Sequence, residues 1–242
     1  ERTQVGDRDR RHAAAHGVDD AETFPVVLRG LELRERATWL QIGGGDHDAA
    51  VGQHGALRDL ADAVAGAARE PLVERPTVPD GYGLPADDSG LLEWAWAEEK
   101  LSTGLNYWVA TVRPDGRPHA TPVWGVWFDG ALYFDGSAET RRMRNIASNP
   151  NVAVHLESGD EVLILEGEAS AVPPPPSRAL AAALAATYAA KYAAHAYAPA
   201  VDQWDDGGLY VMRPRIGLGW TLRPGEEFGK SYTRWRFPRE AG

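Results

Sequence analysis

The stretch Tyr107-Trp108-Val109-Ala110-Thr111-Val112-Arg113-Pro114-Asp115-Gly116-Arg117-Pro118-His119-Ala120-Thr121-Pro122-Val123-Trp124-Gly125-Val126-Trp127-Phe128 decides the fold. Residues 107–112 alternate and are rich in aromatic and β-branched side chains, Pro114-Asp115-Gly116 supplies a turn, and 118–128 resume the extended pattern. Together they predict a β-hairpin. Asp129-Gly130 is a two-residue hairpin signal that leads into a third strand, 131–134. Inside the second strand Pro122 cannot donate to a ladder and Gly125 packs poorly, which implies an edge or bulge and the close approach of a ligand or another backbone. Trp124 and Trp127 are expected on opposite faces, one in the core and the other lining a ring-sized slot or a subunit interface.

Outward from this hairpin the pattern stays mixed. Upstream, Ser89 is placed to cap a helix whose apolar positions run from Leu91 to Leu101, with Gly104 to end it. Downstream, Ser137 opens a second helix through Ala147, stopped by Asn149-Pro150, and 152–156 with 162–169 form a hairpin around Ser158-Gly159-Asp160. After Pro173 to Pro176, Ser177 opens an Ala-rich helix with Leu180, Leu184, Tyr188 and Tyr192 recurring every four residues. Strand-like segments follow at 208–212, 216–222 and 231–237, with Arg223-Pro224-Gly225 as a turn. Six to eight mostly antiparallel strands with interspersed helices predict an α+β barrel, not a doubly wound fold.

Eight of the nine Trp follow residue 80, so the material for a core lies C-terminal. Residues 88–242 are expected to form the folded domain, 77–87 a Pro- and Gly-rich linker with the boundary near Thr77, and 1–76 an extension of uncertain fold. In the extension only 24–28 and 37–42 read as short strands, and 56–68 has helical composition. The first methionine is Met143, which admits a processed, truncated or wrongly started N-terminus, and residues 1–72 are assigned no function.

The chain has 242 residues, 43% hydrophobic and 25% charged, as a globular protein does. No window approaches the roughly 20 apolar residues of a membrane span, and no basic-then-apolar leader opens the sequence, which points to the cytoplasm. With no Cys, thiolate metal sites, iron–sulfur clusters and Cys nucleophiles are excluded, and redox chemistry must come from a borrowed cofactor. A formal charge of −10 argues against nonspecific nucleic-acid binding.

Against that acidity the cluster Arg141, Arg142 and Arg144 stands out. On a helical wheel Met143, Ile146 and Ala147 form the core stripe, Arg142 and Arg144 flank it, and Arg141 with Asn145 points away. The guanidinium groups near the first turns, with the hydroxyls of Ser137 and Thr140, suit an anion such as a phosphate; the bland alternative is a solvated basic face.

The run from Asn106 to Trp127, followed by Thr140-Arg141-Arg142-Met143-Arg144-Asn145-Ile146 and Asn149-Pro150, resembles the pyridoxamine 5'-phosphate oxidase-like split-barrel superfamily, and within it the actinobacterial flavin/deazaflavin oxidoreductases. The likeness spans about 88–238. It implies a homodimer with the cofactor, FMN or the deazaflavin coenzyme F-420, at the subunit interface. It also implies phosphate contacts from Arg141, Arg142 and Arg144 with Asn145 and Thr140 in support, and a ring system bordered by Thr121, Pro122, Val123 and Trp124. A Lys is common in the family where Arg142 stands. Trp235-Arg236-Phe237 resembles the family's C-terminal strand, whose residues reach toward the partner's cofactor.

No side chain reads as a catalytic acid, base or nucleophile, which fits a family that leaves hydride chemistry to its cofactor. Signatures of nucleophile elbows, zinc proteases and phosphate-binding loops ending in Lys-Ser or Lys-Thr are lacking; Gly43-Gly44-Gly45 reads as a loop, and His12, His16, His47 and His54 as surface histidines, so no metal is expected. His119 and His155 read as packed or rim residues on strands. The sequence thus points to a deazaflavin-dependent reductase acting on a small organic acceptor, with an FMN-dependent oxidase-like enzyme or a non-catalytic cofactor- or tetrapyrrole-binding barrel as alternatives.

Overall fold

The computed structural model describes residues 70–79, 81–222 and 229–238. The expected elements between residues 24 and 68 and the turn at 223–225 lie outside them. Among the described residues nine strands and three α-helices alternate as β1 (Leu72–Glu74), α1 (Trp94–Thr103), β2 (Tyr107–Val112), β3 (Pro118–Val123), β4 (Gly125–Phe128), β5 (Ala131–Asp135), α2 (Arg141–Ser148), β6 (Asn151–His155), β7 (Glu161–Ala171), α3 (Arg178–Lys191), β8 (Leu209–Thr221) and β9 (Thr233–Arg236). All strand pairs are antiparallel, in the order β1-β9-β8-β7-β6-β2-β3, and β5 joins the first half of β8 while carrying β4. This is the α+β split barrel, left open as a sheet.

Local chemistry places each element. The hairpin between β4 and β5 turns on Asp129 and Gly130, both left-handed at φ 49° and 68°, as a two-residue turn of this hand requires. Ser177 caps α3 by accepting from Leu180 N. The first two helices start later than expected. Leu92 N–H donates to Thr233 Oγ1 at 2.8 Å, which holds 91–93 extended, so α1 begins at Trp94 and not at Ser89. Thr140, not Ser137, caps α2, because Ser137 is spent on the turn that precedes it.

Two expected divisions of the sheet come out differently. The extended run 118–128 breaks at Trp124 into β3 and β4. There the buried Tyr192 hydroxyl accepts Gly125 N–H at 2.9 Å and lies 2.9 and 2.8 Å from the carbonyls of Gly125 and Leu105, replacing the ladder bonds lost at the break. The two strands expected on either side of Pro214 are instead the single β8. The register between β7 and β8 shifts at Glu166/Gly167, and Pro214 sits opposite Gly167, whose missing side chain leaves room for the Arg213 backbone.

The sheet also starts upstream of the boundary expected near Thr77. Leu72, Val73 and Glu74 pair with Arg236, Trp235 and Arg234, and Glu74 forms ion pairs with both arginines. Arg75 then donates to the carbonyls of Asp87, Gly229, Lys230, Tyr232 and Ser89 at 2.7–3.4 Å.

Two apolar cores result. One fills the barrel with Tyr107, Val109, Trp127, Phe134, Met143, Leu165 and Trp235. The other lies between α3 and the outer side of β4, β5 and β8, with Val126, Tyr133, Leu184, Tyr188 and Trp204. Trp235 lies over a bare track in β8: a Cβ on Gly219 would fall 2.6 Å from its Cη2, and one on Gly217 3.1 Å from its Cε3. Trp96 and Trp94 flank it with ring centroids 6.3 and 5.6 Å away.

Candidate functional site

Helix α2 lies over the inner face of β2 and β3, where successive inward positions are polar. Arg142 Nη1 donates to Thr121 Oγ1 at 2.7 Å, and Asn145 Nδ2 donates to Thr111 Oγ1 at 2.9 Å. Thr111 in turn reaches the His119 carbonyl at 3.3 Å, with the His119 ring 3.5 Å away. Thr111, His119 and Thr121 fall on one face because β2 and β3 pair in register with Thr111 opposite His119 and Val109 opposite Thr121. The Arg142 guanidinium also approaches the end of β5, where a side chain on Gly136 would come 3.2 Å from Nη2. Only a residue without Cβ leaves that space beside the cation.

The three arginines diverge. Arg142 is drawn in toward β3, Arg144 is exposed and turns back to donate to the Glu139 carbonyl at 2.6 Å, and Arg141 stays half-buried. Thr140 uses its hydroxyl on Met143 N–H, 3.4 Å away. Asn145, expected to point away, is instead 1% exposed, and its Oδ1 is buried without a hydrogen-bond partner, while Ala147 takes the outer position. The wheel reading fails because the Thr111 hydroxyl beneath the helix offers Asn145 a partner that an apolar floor would not.

Residues 121–124 split as well. Thr121 meets Arg142; Pro122 is exposed on the other face; Val123 is packed in the barrel core; Trp124 stacks on Tyr192 at 4.8 Å and touches the rings of His195 and Tyr197. The division of labour expected of the two tryptophans holds for Trp127, which is core, whereas Trp124 packs on the end of α3. The structure therefore gathers Thr121, Arg142 and Asn145, with Thr140 at the helix start, and separates them from Val123 and Trp124.

Sequence reading missed the acidic neighbour of this cluster. Asp135 ends β5 next to Gly136, accepts from the Tyr197 hydroxyl at 2.9 Å, and feels the Arg142 charge. Burial raises its pKa above the usual carboxylate value, and the Tyr197 bond and Arg142 only partly oppose this. Asp135 follows directly on a buried strand end, Ala131 to Phe134, which is the signal that could have flagged it. Among the described residues no three His, Asp or Glu side chains gather as a metal site, and no helix is long and apolar enough to cross a membrane. A hollow of about 210 Å³ between the end of α1 and the β6–β7 turn, lined by Lys100, Leu105, Leu156 and Glu161, contains none of the expected site residues.

Residues 101–207, which hold the hairpin, the Arg helix and α3, match the family model for pyridoxamine 5'-phosphate oxidase. Over these residues the chain is a split barrel of the pyridoxamine 5'-phosphate oxidase-like kind. No curated protein matches the chain. Among solved structures, a conserved hypothetical protein from Mycobacterium tuberculosis aligns at 23% identity over 60% of this chain and 96% of that one, with a TM-score of 0.47. An F-420 reductase aligns at 27% identity over 58% and 98%, TM-score 0.38, and the heme storage protein HutZ from Vibrio cholerae at 20% over 50% and 88%, TM-score 0.39. Within this split barrel the matched segment carries every residue of the Thr121–Arg142–Asn145 cluster, whereas β1 and β9 lie outside it.

Proposed function

We propose that this chain is a flavin- or deazaflavin-dependent oxidoreductase, most specifically a deazaflavin-dependent reductase that passes hydride to a small organic acceptor. The match of residues 101–207 to the pyridoxamine 5'-phosphate oxidase family model supports the flavin-type oxidoreductase reading at the level of the family. The observation that carries it to particular residues is Arg142, fixed on Thr121 at 2.7 Å beside the bare Gly136, on a helix that presents its N-terminus at the same place. A fixed guanidinium beside a helix start is the donor set a phosphate takes, so the residues present fit the phosphate arm of either cofactor. Arg142 would hold that phosphate, with Arg141 adding charge from the half-exposed flank. Thr121 orients the guanidinium and Thr140 fixes the helix start. A bound flavin or deazaflavin supplies the hydride chemistry, and the chain supplies position and field.

A homodimer belongs to this proposal. Pro122, Trp108, His155, Ile164 and Leu218 lie in one row across five strands on the side of the sheet opposite the barrel core, all partly or fully exposed. A mostly apolar row of this width, interrupted only by His155, is the kind of surface a second subunit covers.

Purified protein titrated separately with FMN and with the deazaflavin coenzyme, followed by fluorescence quenching, tests the reading. We expect deazaflavin binding that Arg142→Glu weakens at least about tenfold, the loss of one charge-assisted contact. Binding of FMN alone would defeat the deazaflavin assignment, and unchanged affinity in the variant would defeat the Arg142 cradle. Tight binding with no oxidation of the reduced cofactor by a broad acceptor panel would favour a barrel that stores or shields its ligand.

A further inference from the structure

Three tyrosines and a tryptophan meet at the end of α3. Trp124 stacks on Tyr192 with ring centroids 4.8 Å apart, and Tyr197 lies 5.6 Å from Trp124, 5.7 Å from Tyr188 and 6.4 Å from Tyr192. The cluster runs from the surface inward. Trp124 is half-buried with the exposed His195 beside it, and Tyr188 is fully buried. The three phenols end on different acceptors. Tyr188 donates to the Tyr133 carbonyl at 3.2 Å, and the Tyr192 hydroxyl is held by the carbonyls of Leu105 and Gly125 at 2.8 and 2.9 Å. Tyr197 alone of the three donates to a carboxylate, Asp135 Oδ2, at 2.9 Å.

That difference decides which ring gives up an electron most readily. Removing an electron from a phenol makes its O–H a strong acid, so oxidation is easy only where a base stands at hydrogen-bond distance to take the proton. A main-chain carbonyl cannot keep that proton, and a carboxylate can. Burial raises the Asp135 pKa, which strengthens it as an acceptor, and also raises the Tyr197 pKa, so the proton stays on the phenol until the electron leaves. The backbone is bent to make this contact. Ala196, directly before Tyr197, has φ 53°, in the left-handed region where a glycine would sit without strain, and the turn brings the Tyr197 N–H back to the Tyr192 carbonyl at 3.4 Å. Such strain persists where the surrounding contacts hold it.

We propose that Trp124, Tyr197 and Asp135 form a one-electron relay that accepts an oxidising equivalent from a small radical at the surface and brings it to rest on Tyr197, whatever ligand the Arg142 cradle holds. The radical takes one electron from the Trp124 indole and is reduced to its anion. Tyr197 returns one electron to Trp124 across the ring contact, and as it leaves, the phenolic O–H bond breaks and the proton passes to Asp135 Oδ2. Any N–H proton that the oxidised indole has shed to water returns to it in the same step. The net change is one electron from Tyr197 to the oxidant and one proton from Tyr197 to Asp135. A neutral tyrosyl radical is left beside a protonated carboxyl.

The test is pulse radiolysis of the full chain in azide solution at neutral pH, where the azidyl radical oxidises indoles and the tryptophanyl and tyrosyl radicals are followed by their separate absorption bands. We expect a phase, independent of protein concentration, in which tyrosyl absorption grows as tryptophanyl absorption decays. Tyr197→Phe and Trp124→Phe, which each keep an aromatic ring in place, should remove most of that phase. Asp135→Asn leaves Tyr197 an amide oxygen to bond but no group that can keep the proton, and should slow the phase at least about tenfold. Near-UV circular dichroism of each variant keeps a loss of packing from being read as a loss of transfer. The proposal is overturned if the phase is absent from the wild type, keeps its amplitude in either Phe variant, or keeps its rate in Asp135→Asn.

Discussion

Replacing Gly219 by Ala should destabilise the domain chiefly through the Trp235 ring. The added methyl would lie 2.6 Å from Trp235 Cη2, 2.7 Å from Cζ3 and 3.2 Å from Trp96 Cζ3. The ring cannot move aside. Trp235 is 0% exposed, Trp96 lies nearly parallel to it at 19°, and Trp94 meets it edge-on at 5.6 Å. Overpacking of this kind costs about 1–3 kcal/mol. Loss of glycine's freedom in the unfolded chain returns about 0.4–1 kcal/mol, so the net cost is about 1–2 kcal/mol. Trp235→Phe removes the two ring atoms that lie over Gly219. In that background Gly219→Ala should be neutral or stabilising, because the methyl now fills space and the strand gains a Cβ. The double-mutant cycle therefore has a coupling energy of about 2 kcal/mol with a change of sign in the single-site effect. Urea unfolding followed by far-UV circular dichroism measures all four proteins without relying on tryptophan emission. Equal cost of Gly219→Ala in both backgrounds would show that the strand, not the ring, demands glycine.

Arg75→Ala removes a guanidinium that reaches five backbone carbonyls at 2.7–3.4 Å; we expect a loss of about 2–3 kcal/mol in urea melts and early proteolysis between residues 70 and 90, with Arg75→Lys recovering less than half because an ammonium cannot span the set. Asp135→Asn tests the buried carboxyl. Its folded pKa is raised, so the native state holds a proton that the unfolded state releases, and wild-type stability falls as pH rises above the ordinary Asp value. The Asn variant should match wild type near pH 4, exceed it at pH 7 in thermal melts, and bind FMN or the deazaflavin more tightly by leaving the Arg142 charge less offset; an unchanged stability difference across pH would refute this. Trp108→Glu puts a charge in the middle of the exposed row on β2 and should convert a dimer to a monomer in light scattering with an unchanged far-UV spectrum, whereas a dimer that persists would exclude this face.

What the sequence made legible was whatever its own neighbours determine. Asp129-Gly130, Ser177 and Gly104 act on the residues next to them, and each sits where it was expected. Apart from the cap of α2, which shifts within its own turn, the misplacements involve partners far along the chain. Leu72–Glu74 is too short to show a period, and it is a strand only because Thr233–Arg236 offers it an edge. The strand expected at 216–222 contains Gly217 and Gly219, whose role is visible only once Trp235 is laid across them. Gly125 was read as the close approach of a ligand or another backbone; a Cβ there would fall 2.8 Å from the Tyr133 carbonyl, and its N–H is taken by the Tyr192 hydroxyl from beyond α3.

The candidate site obeys the same rule. The Arg cluster was visible as a contrast in charge, but which arginine turns inward was not, because that depends on Thr121 standing opposite it on an edge strand. A helical wheel sorts residues by angle alone, and the angle that sent Asn145 outward assumed an apolar floor. Thr111, Thr121 and His119 make that floor polar over three consecutive inward positions of β2 and β3, so the strand chooses Asn145 and Arg142 from the helix. Which side chains turn inward here is set by the pair of surfaces together. Arg144, exposed on the outer side of the helix, folds back instead on the Glu139 carbonyl.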